Sequence, residues 1–263
     1  MNENKRIDRD GQAATKIFDN RSLKTDYRTL ESILEKGMVI LDVGCGTGSI
    51  SKDIANAIGH SGSVIGIDTT EKFIKSGKES YKSIQNLELV HANLFEFDPN
   101  QKFDLITAAR TLQWLNNPKD ALLKMKSLLK PNGRISILDY NHNKLEWNPE
   151  PPMSMKIFYK TFLKWRSDAG MNNGIADDLP NLMREIGMFD IEIINSDEHY
   201  EKHRNDFKSK VGIWSKVAGS KQMVIEGYLD NDLRLKVIED YNEWVEHKAI
   251  SMTMKLNEVR GSI

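Results

Sequence analysis

Apolar positions along this chain switch repeatedly between short runs and helical stripes from Met38 to Tyr140. The short runs predict strands at Met38–Val43, Ser63–Asp68, Leu87–Ala92, Phe103–Ala108 and Arg134–Tyr140. The stripes between them predict helices at Gly48–Ile58, Thr70–Ile84 and Lys119–Leu129. Gly59–Gly62 and Pro131-Asn132-Gly133 read as turns. This alternation predicts an α/β fold: a doubly wound, mostly parallel sheet with helices on both faces. After Tyr140 the rhythm breaks. A proline-rich loop, Asn141–Pro152, leads into a helix, Met153–Asp168, whose apolar positions include Met155, Phe158, Tyr159, Phe162, Leu163 and Trp165. Helices are expected at Ala176–Ile186, Asp206–Ala218 and Asn231–Ala249, and strands at Phe189–Asn195 and Ser251–Val259. Upstream, Ala14–Lys36 reads as one or two helices, with Asn20 or Ser22 as a cap and Leu23, Tyr27, Leu30, Ile33 and Leu34 on one face.

The segment Leu41–Gly48 reads Leu-Asp-Val-Gly-Cys-Gly-Thr-Gly, a strand end, a glycine turn and a helix start. Glycine tolerates positive φ and lets a ligand lie on the backbone. A dinucleotide loop has G-x-G-x-x-G; here the spacing is D-x-G-x-G-x-G, and the last glycine comes one residue early. Asp68 ends the second strand, where a carboxylate can accept hydrogen bonds from a ribose. The alternative is that it caps the helix that follows. In a doubly wound sheet, ligands bind beyond the carboxyl ends of the strands, which gathers Asp42–Gly48, Asp68, Asn93, Arg110 and Asp139–Asn143 around one crevice.

The glycine spacing, with Asp68, resembles motif I of the class I S-adenosylmethionine (SAM)-dependent methyltransferases. Three further stretches are similar to that family: Ala92-Asn93-Leu94, Phe103-Asp104-Leu105-Ile106, and Leu129-Lys130-Pro131-Asn132-Gly133. The resemblance spans Met38–Tyr140 and implies a Rossmann-like sheet that binds SAM and yields S-adenosylhomocysteine (SAH). It implies cofactor-binding roles for Asp42, Gly44, Cys45, Gly46, Gly48, Asp68, Thr69, Asn93, Leu94 and Arg110. Asn93 stands where the family has Asp, and its amide oxygen can still accept from an adenine amine. Tyr27 or Arg21, from the N-terminal cover, is a candidate for the methionine carboxylate. The implied organisation is a helical cover at 1–37, a SAM-binding core at 38–140, a helical lid inserted after strand five at 141–187, and strands and helices completing the sheet at 188–263. Gln113, Trp114, Trp147, Tyr159 and Trp165 are the candidate substrate-facing residues, since planar or apolar acceptors bind aromatic walls. Methyl transfer needs a base only when the acceptor must lose a proton; His142, just past strand five, is the candidate.

Composition narrows the partners. The 263 residues carry a formal net charge of −1 with 29% charged, and no basic stripe stands out, which argues against a nucleic-acid substrate. A single cysteine, Cys45, excludes an internal disulfide and a cysteine metal cluster. The histidines lack metal-ligand spacing, so no metal is expected. The polar stretch Met1–Gly11 has no apolar core of a secretory leader, and no apolar run is long enough to span a membrane. A cytoplasmic enzyme with a small-molecule acceptor, monomeric or homodimeric, is the expectation. The alternatives are a methyltransferase for peptide, protein or RNA, a SAM- or SAH-binding module without turnover, and, least favoured by the glycine spacing, a nicotinamide oxidoreductase.

Overall fold

The computed structural model describes residues 21–263. The expected stretch Met1–Gly11, the cap Asn20 and the start of the helix from Ala14 lie outside the described residues. The elements run α1 (Leu23–Asp26), β1 (Val39–Val43), α2 (Ser49–Ile58), β2 (Ser63–Asp68), α3 (Glu71–Ser80), β3 (Leu87–His91), β4 (Phe103–Ala109), α4 (Pro118–Ser127) and β5 (Leu129–Tyr140). Then follow β6 (Glu146–Asn148), α5 (Met153–Asp168), α6 (Ile175–Glu185), β7 (Phe189–Asn195), β8 (Glu198–Glu201), α7 (Phe207–Val211), α8 (Ile213–Ala218), α9 (Gln222–Ile225), α10 (Asn231–His247), β9 (Ser251–Met254) and β10 (Leu256–Ser262).

The chain divides into two compact units. Of the described residues, 21–139, 175–196 and 257–263 form a sheet unit, and 140–174 and 197–256 form an aromatic unit. This grouping departs from the expected segments 141–187 and 188–263. The reason is packing: Ile175, Leu179 and Met183 of α6 are buried in the core of the sheet unit.

The sheet unit has strand order β3-β2-β1-β4-β5-β10-β7. The first five strands are parallel, and β7 runs antiparallel to β10. The doubly wound, mostly parallel fold is therefore as expected. The order reverses between β1 and β4, so their carboxyl ends flank the crevice where such sheets bind ligands. Helix α2 begins at Gly48 and buries Ile50, Ile54, Ala55 and Ile58, one stripe at helical spacing. Ser22 caps α1, its Oγ accepting the Thr25 N–H at 3.2 Å. The turn expected at Pro131-Asn132-Gly133 lies inside β5 instead; Asn132 takes φ +64° and the register against β4 shifts there, as in a bulge.

The aromatic unit contains a three-stranded sheet, β6-β9-β8, antiparallel throughout. Strands as short as β6 and β8 carry too few alternations to be read from sequence. Helix α5 packs on α10, where Ser154 Oγ donates to Asp240 at 2.6 Å. The single strand expected at Ser251–Val259 is two strands in different sheets. Asp197 causes the break, since its carboxylate accepts the Leu256 N–H at 3.0 Å and the Lys255 ammonium at 3.1 Å. The helix expected at Asp206–Ala218 is likewise broken at Gly212. Among the described residues no helix is long and apolar enough to cross a membrane.

Candidate functional site

The glycine turn between β1 and α2 is held from below. The N–H groups of Gly44 and Cys45 both donate to the Ile67 carbonyl, at 2.8 and 3.0 Å. Gly46 donates to Asp68 Oδ2 at 2.9 Å, and Gly48 to the Cys45 carbonyl at 3.0 Å. These donors are turned into the protein, so they do not cradle an anion. That is the reverse of a phosphate-binding turn, which aims its N–H groups at the ligand. Gly44, Gly46 and Gly48 all take positive φ. At Gly44 a Cβ would stand 2.3 Å from Thr111 Oγ1, so glycine is required there by space as well as by φ.

Beside the turn lies a small open cleft lined by Arg21, Asp42, Gly44, Cys45, Ser49, Ile50 and Ala109. Asp42 is its buried charge. Burial, and next the neighbouring Asp68 carboxylate, push its pKa from the usual 3.8 up to about 7, against the pull of a 2.5 Å hydrogen bond from Ser51. Cys45 is half-buried, and its thiol is pushed well above its ordinary range by burial and then by Asp42 and Asp68. A thiol so disfavoured as thiolate is a poor nucleophile. The cleft therefore combines the buried carboxyl group of Asp42, the side chain of Arg21, inward-turned donors and an apolar wall from Ile50 and Ala109.

Asp68 takes the helix-start role of the two sequence readings and also supports the glycine turn. Its Oδ1 accepts the Thr70 N–H at 2.8 Å at the start of α3, while its Oδ2 braces the glycine turn. Thr69 is exposed, and its carbonyl faces the His91 ring at 3.1 Å. Asn93 is exposed, with its amide oxygen already accepting the Phe95 N–H at 3.1 Å; Leu94 is buried in the core. Arg110 is buried just beyond β4, held at φ +57° by its N–H donating to the Leu138 carbonyl. A non-glycine residue in that region stores strain, which clusters at ligand sites.

Tyr27 does not face the cleft. It is 1% exposed, and its hydroxyl lies 2.7 Å from Ser136 Oγ. Ser136 donates to Glu258 at 2.6 Å, so the proton between Tyr27 and Ser136 belongs to Tyr27. Arg260 closes the network, donating to Glu258 at 2.7 Å and to the Thr29 carbonyl at 2.6 Å. Tyr27 is thus a structural tie between the N-terminal segment and β10, and Arg21, which lines the cleft, is the cover residue at the site. Residues 21–23 are pinned to α2 by the Ser49 hydroxyl, which donates to the Arg21 carbonyl, and by Asp53, which accepts the Leu23 N–H at 3.0 Å.

The candidate substrate residues fall in both units. Gln113, in the sheet unit, is buried, its N–H donating to Asp139 at 3.0 Å and its side chain to the Arg110 carbonyl at 3.2 Å; Trp114 is half-buried beside it. The aromatic unit brings Trp147, Tyr159 and His142 together. Trp147 and Tyr159 meet edge to face at 5.0 Å, and the Tyr159 hydroxyl donates to the His142 carbonyl at 2.6 Å. Trp165 joins through Phe162, 6.1 Å away, while its indole N–H donates to Glu226 at 2.7 Å. His142 is buried, and burial, followed by the Arg166 charge, drives its pKa well below 6.5. It is a neutral ring near pH 7 and holds a proton weakly, which makes it a poor general base. Sequence reasoning missed Ser51, Gly77 and Trp214. A glycine inside a helix was a visible signal for Gly77; Trp214 sits in a two-turn helix with no pattern to mark it.

Comparisons with known proteins bear on the family and the fold. A family model described as a methyltransferase domain matches residues 34–206. A demethylmenaquinone methyltransferase of Staphylococcus aureus is 30% identical over 173 residues, covering 61% of this chain and 71% of the relative. A solved SAM-dependent methyltransferase from Aquifex aeolicus superposes with TM-score 0.56 at 17% identity, covering 98% of this chain and 100% of that one. Phosphoethanolamine N-methyltransferase 2 of Haemonchus contortus, in complex with S-adenosyl-L-methionine, superposes with TM-score 0.58 at 14% identity over 91% of this chain. The chain spans about half of that enzyme, 52% of its length.

Proposed function

The chain belongs to the class I SAM-dependent methyltransferases, and from that premise we propose that it methylates an O, N or C nucleophile of a small molecule, leaving SAH. The observation that carries the cofactor half of this reading is the cleft itself. Inward-turned N–H groups beside the buried carboxylate of Asp42 suit a cationic ligand and not a phosphate. SAM supplies an activated methyl group on a sulfonium. Asp42, Gly44, Cys45, Gly46 and Gly48 would hold its amino-acid part, with Arg21 toward the carboxylate, and Asp68 would hold the ribose. Thr69, Asn93, Leu94 and Arg110 would border the remainder. The protein's task is then to align donor and acceptor and keep water out. His142, neutral and buried, lines the acceptor region in this reading and is not its base.

The acceptor half rests on the near-neutral charge of the chain and on the aromatic unit, where Trp147, Tyr159 and Trp165 offer apolar rings. The relatives named above are called methyltransferases of demethylmenaquinone and phosphoethanolamine, which are both small molecules. The test is transfer of radiolabelled methyl from SAM into a host extract split into small molecules, protein and RNA. Label in the small-molecule pool is expected. Label confined to protein or RNA would overturn the acceptor class, and SAH binding without any label would point to a non-catalytic binding module.

Asp42 gives a prediction with a definite sign. Its folded pKa of about 7 lies above the unfolded 3.8, so the folded chain holds a proton that the unfolded chain releases. That contribution to stability is complete below about pH 4 and is lost as pH rises through 7. A cationic ligand in the cleft pulls the pKa back down. SAM binding at pH 6 should therefore release close to one proton, falling to none above about pH 8.5. Calorimetry in buffers of different ionisation enthalpy reads this directly. Asp42→Asn should abolish the release, and a wild-type protein that releases none at pH 6 would contradict the assignment.

A further inference from the structure

The aromatic unit centres on Trp214. Its ring lies 4.8 Å from Tyr159, 5.6 Å from Phe162, 6.2 Å from His142 and 6.4 Å from Trp147, each edge to face. Two other indoles of this cluster place their N–H groups within the protein. Trp147 donates to the Tyr241 hydroxyl at 3.0 Å, and that hydroxyl donates onward to the Val211 carbonyl; Trp165 donates to Glu226. Trp214 is 3% exposed, and its Nε1–H has no hydrogen-bond partner among the described residues. A buried donor left without a partner is costly, so an unspent one amid ordered neighbours is a feature that a ligand can use. Trp147 is half-buried.

We propose that Trp214 is the polar anchor of the acceptor site, donating its indole N–H to an oxygen of a planar, oxygenated aromatic acceptor. This deepens the small-molecule reading above and rests on it. The edge-to-face walls suit a flat ring. The single donor fixes an oxygen: a hydroxyl, a carbonyl or a phenolate. Arg166, fully buried with its guanidinium 5.5 Å from the Phe162 ring, adds fixed positive charge to the same cluster. An ammonium acceptor is therefore disfavoured, and electron-rich oxygen is favoured. The Trp214 contact selects and positions the acceptor without taking part in the bond changes.

The test uses 1,4-dihydroxynaphthalene and naphthalene as probes, titrated by calorimetry into the full chain with SAH present. The diol should bind wild type about tenfold more tightly than naphthalene, the expected worth of one hydrogen bond. Trp214→Phe should bring the diol close to naphthalene's affinity. Trp244→Phe, whose indole N–H is also unpartnered among the described residues but stacks on Tyr241 at 5.3 Å, should leave the diol unchanged. Equal binding of the two compounds, no binding of either, or a diol affinity untouched in Trp214→Phe would overturn the proposal. If Trp214→Phe fails to fold, the comparison of the two compounds on wild type still decides. SAH titrated alone keeps the two readings apart: SAH binding without diol binding sinks only the acceptor site, while loss of SAH binding sinks the methyltransferase reading.

Discussion

Gly77→Ala should destabilise the sheet unit by about 2–3 kcal/mol and weaken SAH binding at least tenfold, although glycine to alanine inside a helix ordinarily stabilises by about 1 kcal/mol. Gly77 is a buried residue in the middle of α3. A Cβ built there stands 2.2 Å from the Thr47 carbonyl oxygen and 2.6 Å from Leu89 Cδ1. The first obstacle is backbone, so no rotamer change relieves it. Either α3 withdraws from the sheet or the glycine turn moves, and the turn is already fixed by the Ile67 carbonyl and by Asp68. Helix propensity favours alanine by less than overpacking costs, so the net sign is destabilising. Chemical denaturation and SAH calorimetry measure the two effects. Ser76→Ala, one residue earlier on the same helix, is the control and should be neutral or mildly stabilising. A Gly77→Ala protein as stable as wild type with full SAH affinity would mean that helix and turn do not touch as described.

That contact illustrates what the chain discloses before it is folded. The turn at Gly44–Gly48 and the carboxylate at Asp68 were legible because each depends on local order: a strand, a spacing, a helix start. The parallel sheet was legible for the same reason, since strand and helix periods alternate without interruption to Tyr140. Gly77 was visible as an oddity, but its partner is the Thr47 carbonyl, thirty residues upstream in the turn, and no local pattern names that. Tyr27 shares an apolar face with Leu23 and Leu30, and the sequence does not say where its hydroxyl goes. The answer, Ser136 backed by Glu258, joins three distant segments. The break at Lys255 was hidden similarly, since Asp197 diverts a backbone that otherwise alternates as one strand. His142 shows the limit for chemistry. Its position after strand five suggested a base, yet basicity is set by burial and by Arg166, both matters of tertiary packing.

Asp68→Ala should weaken SAM binding by about 1.5–3 kcal/mol, because it strips charge-assisted hydrogen bonds from the ribose. Two routes lead to that loss. Asp68 accepts the Gly46 N–H and so holds the turn; it also accepts the Thr70 N–H and so sets the start of α3. A variant without the carboxylate leaves both donors unmet and loosens the turn, whatever it does to the ligand. Affinity for SAH alone therefore cannot separate bracing from direct contact. Its 2′-deoxy analogue can. If the carboxylate accepts from the ribose 2′-hydroxyl, wild type should prefer SAH over the analogue by about tenfold, and Asp68→Ala should bind the two alike. If Asp68 acts only by bracing, the variant should lose affinity for both ligands equally and keep the wild-type preference between them. The buried position of Asp68 beside the cleft favours the first outcome, since each of its oxygens accepts a single backbone hydrogen bond here and retains a further lone pair. Unchanged affinity for SAH in Asp68→Ala would displace the cofactor from this crevice altogether.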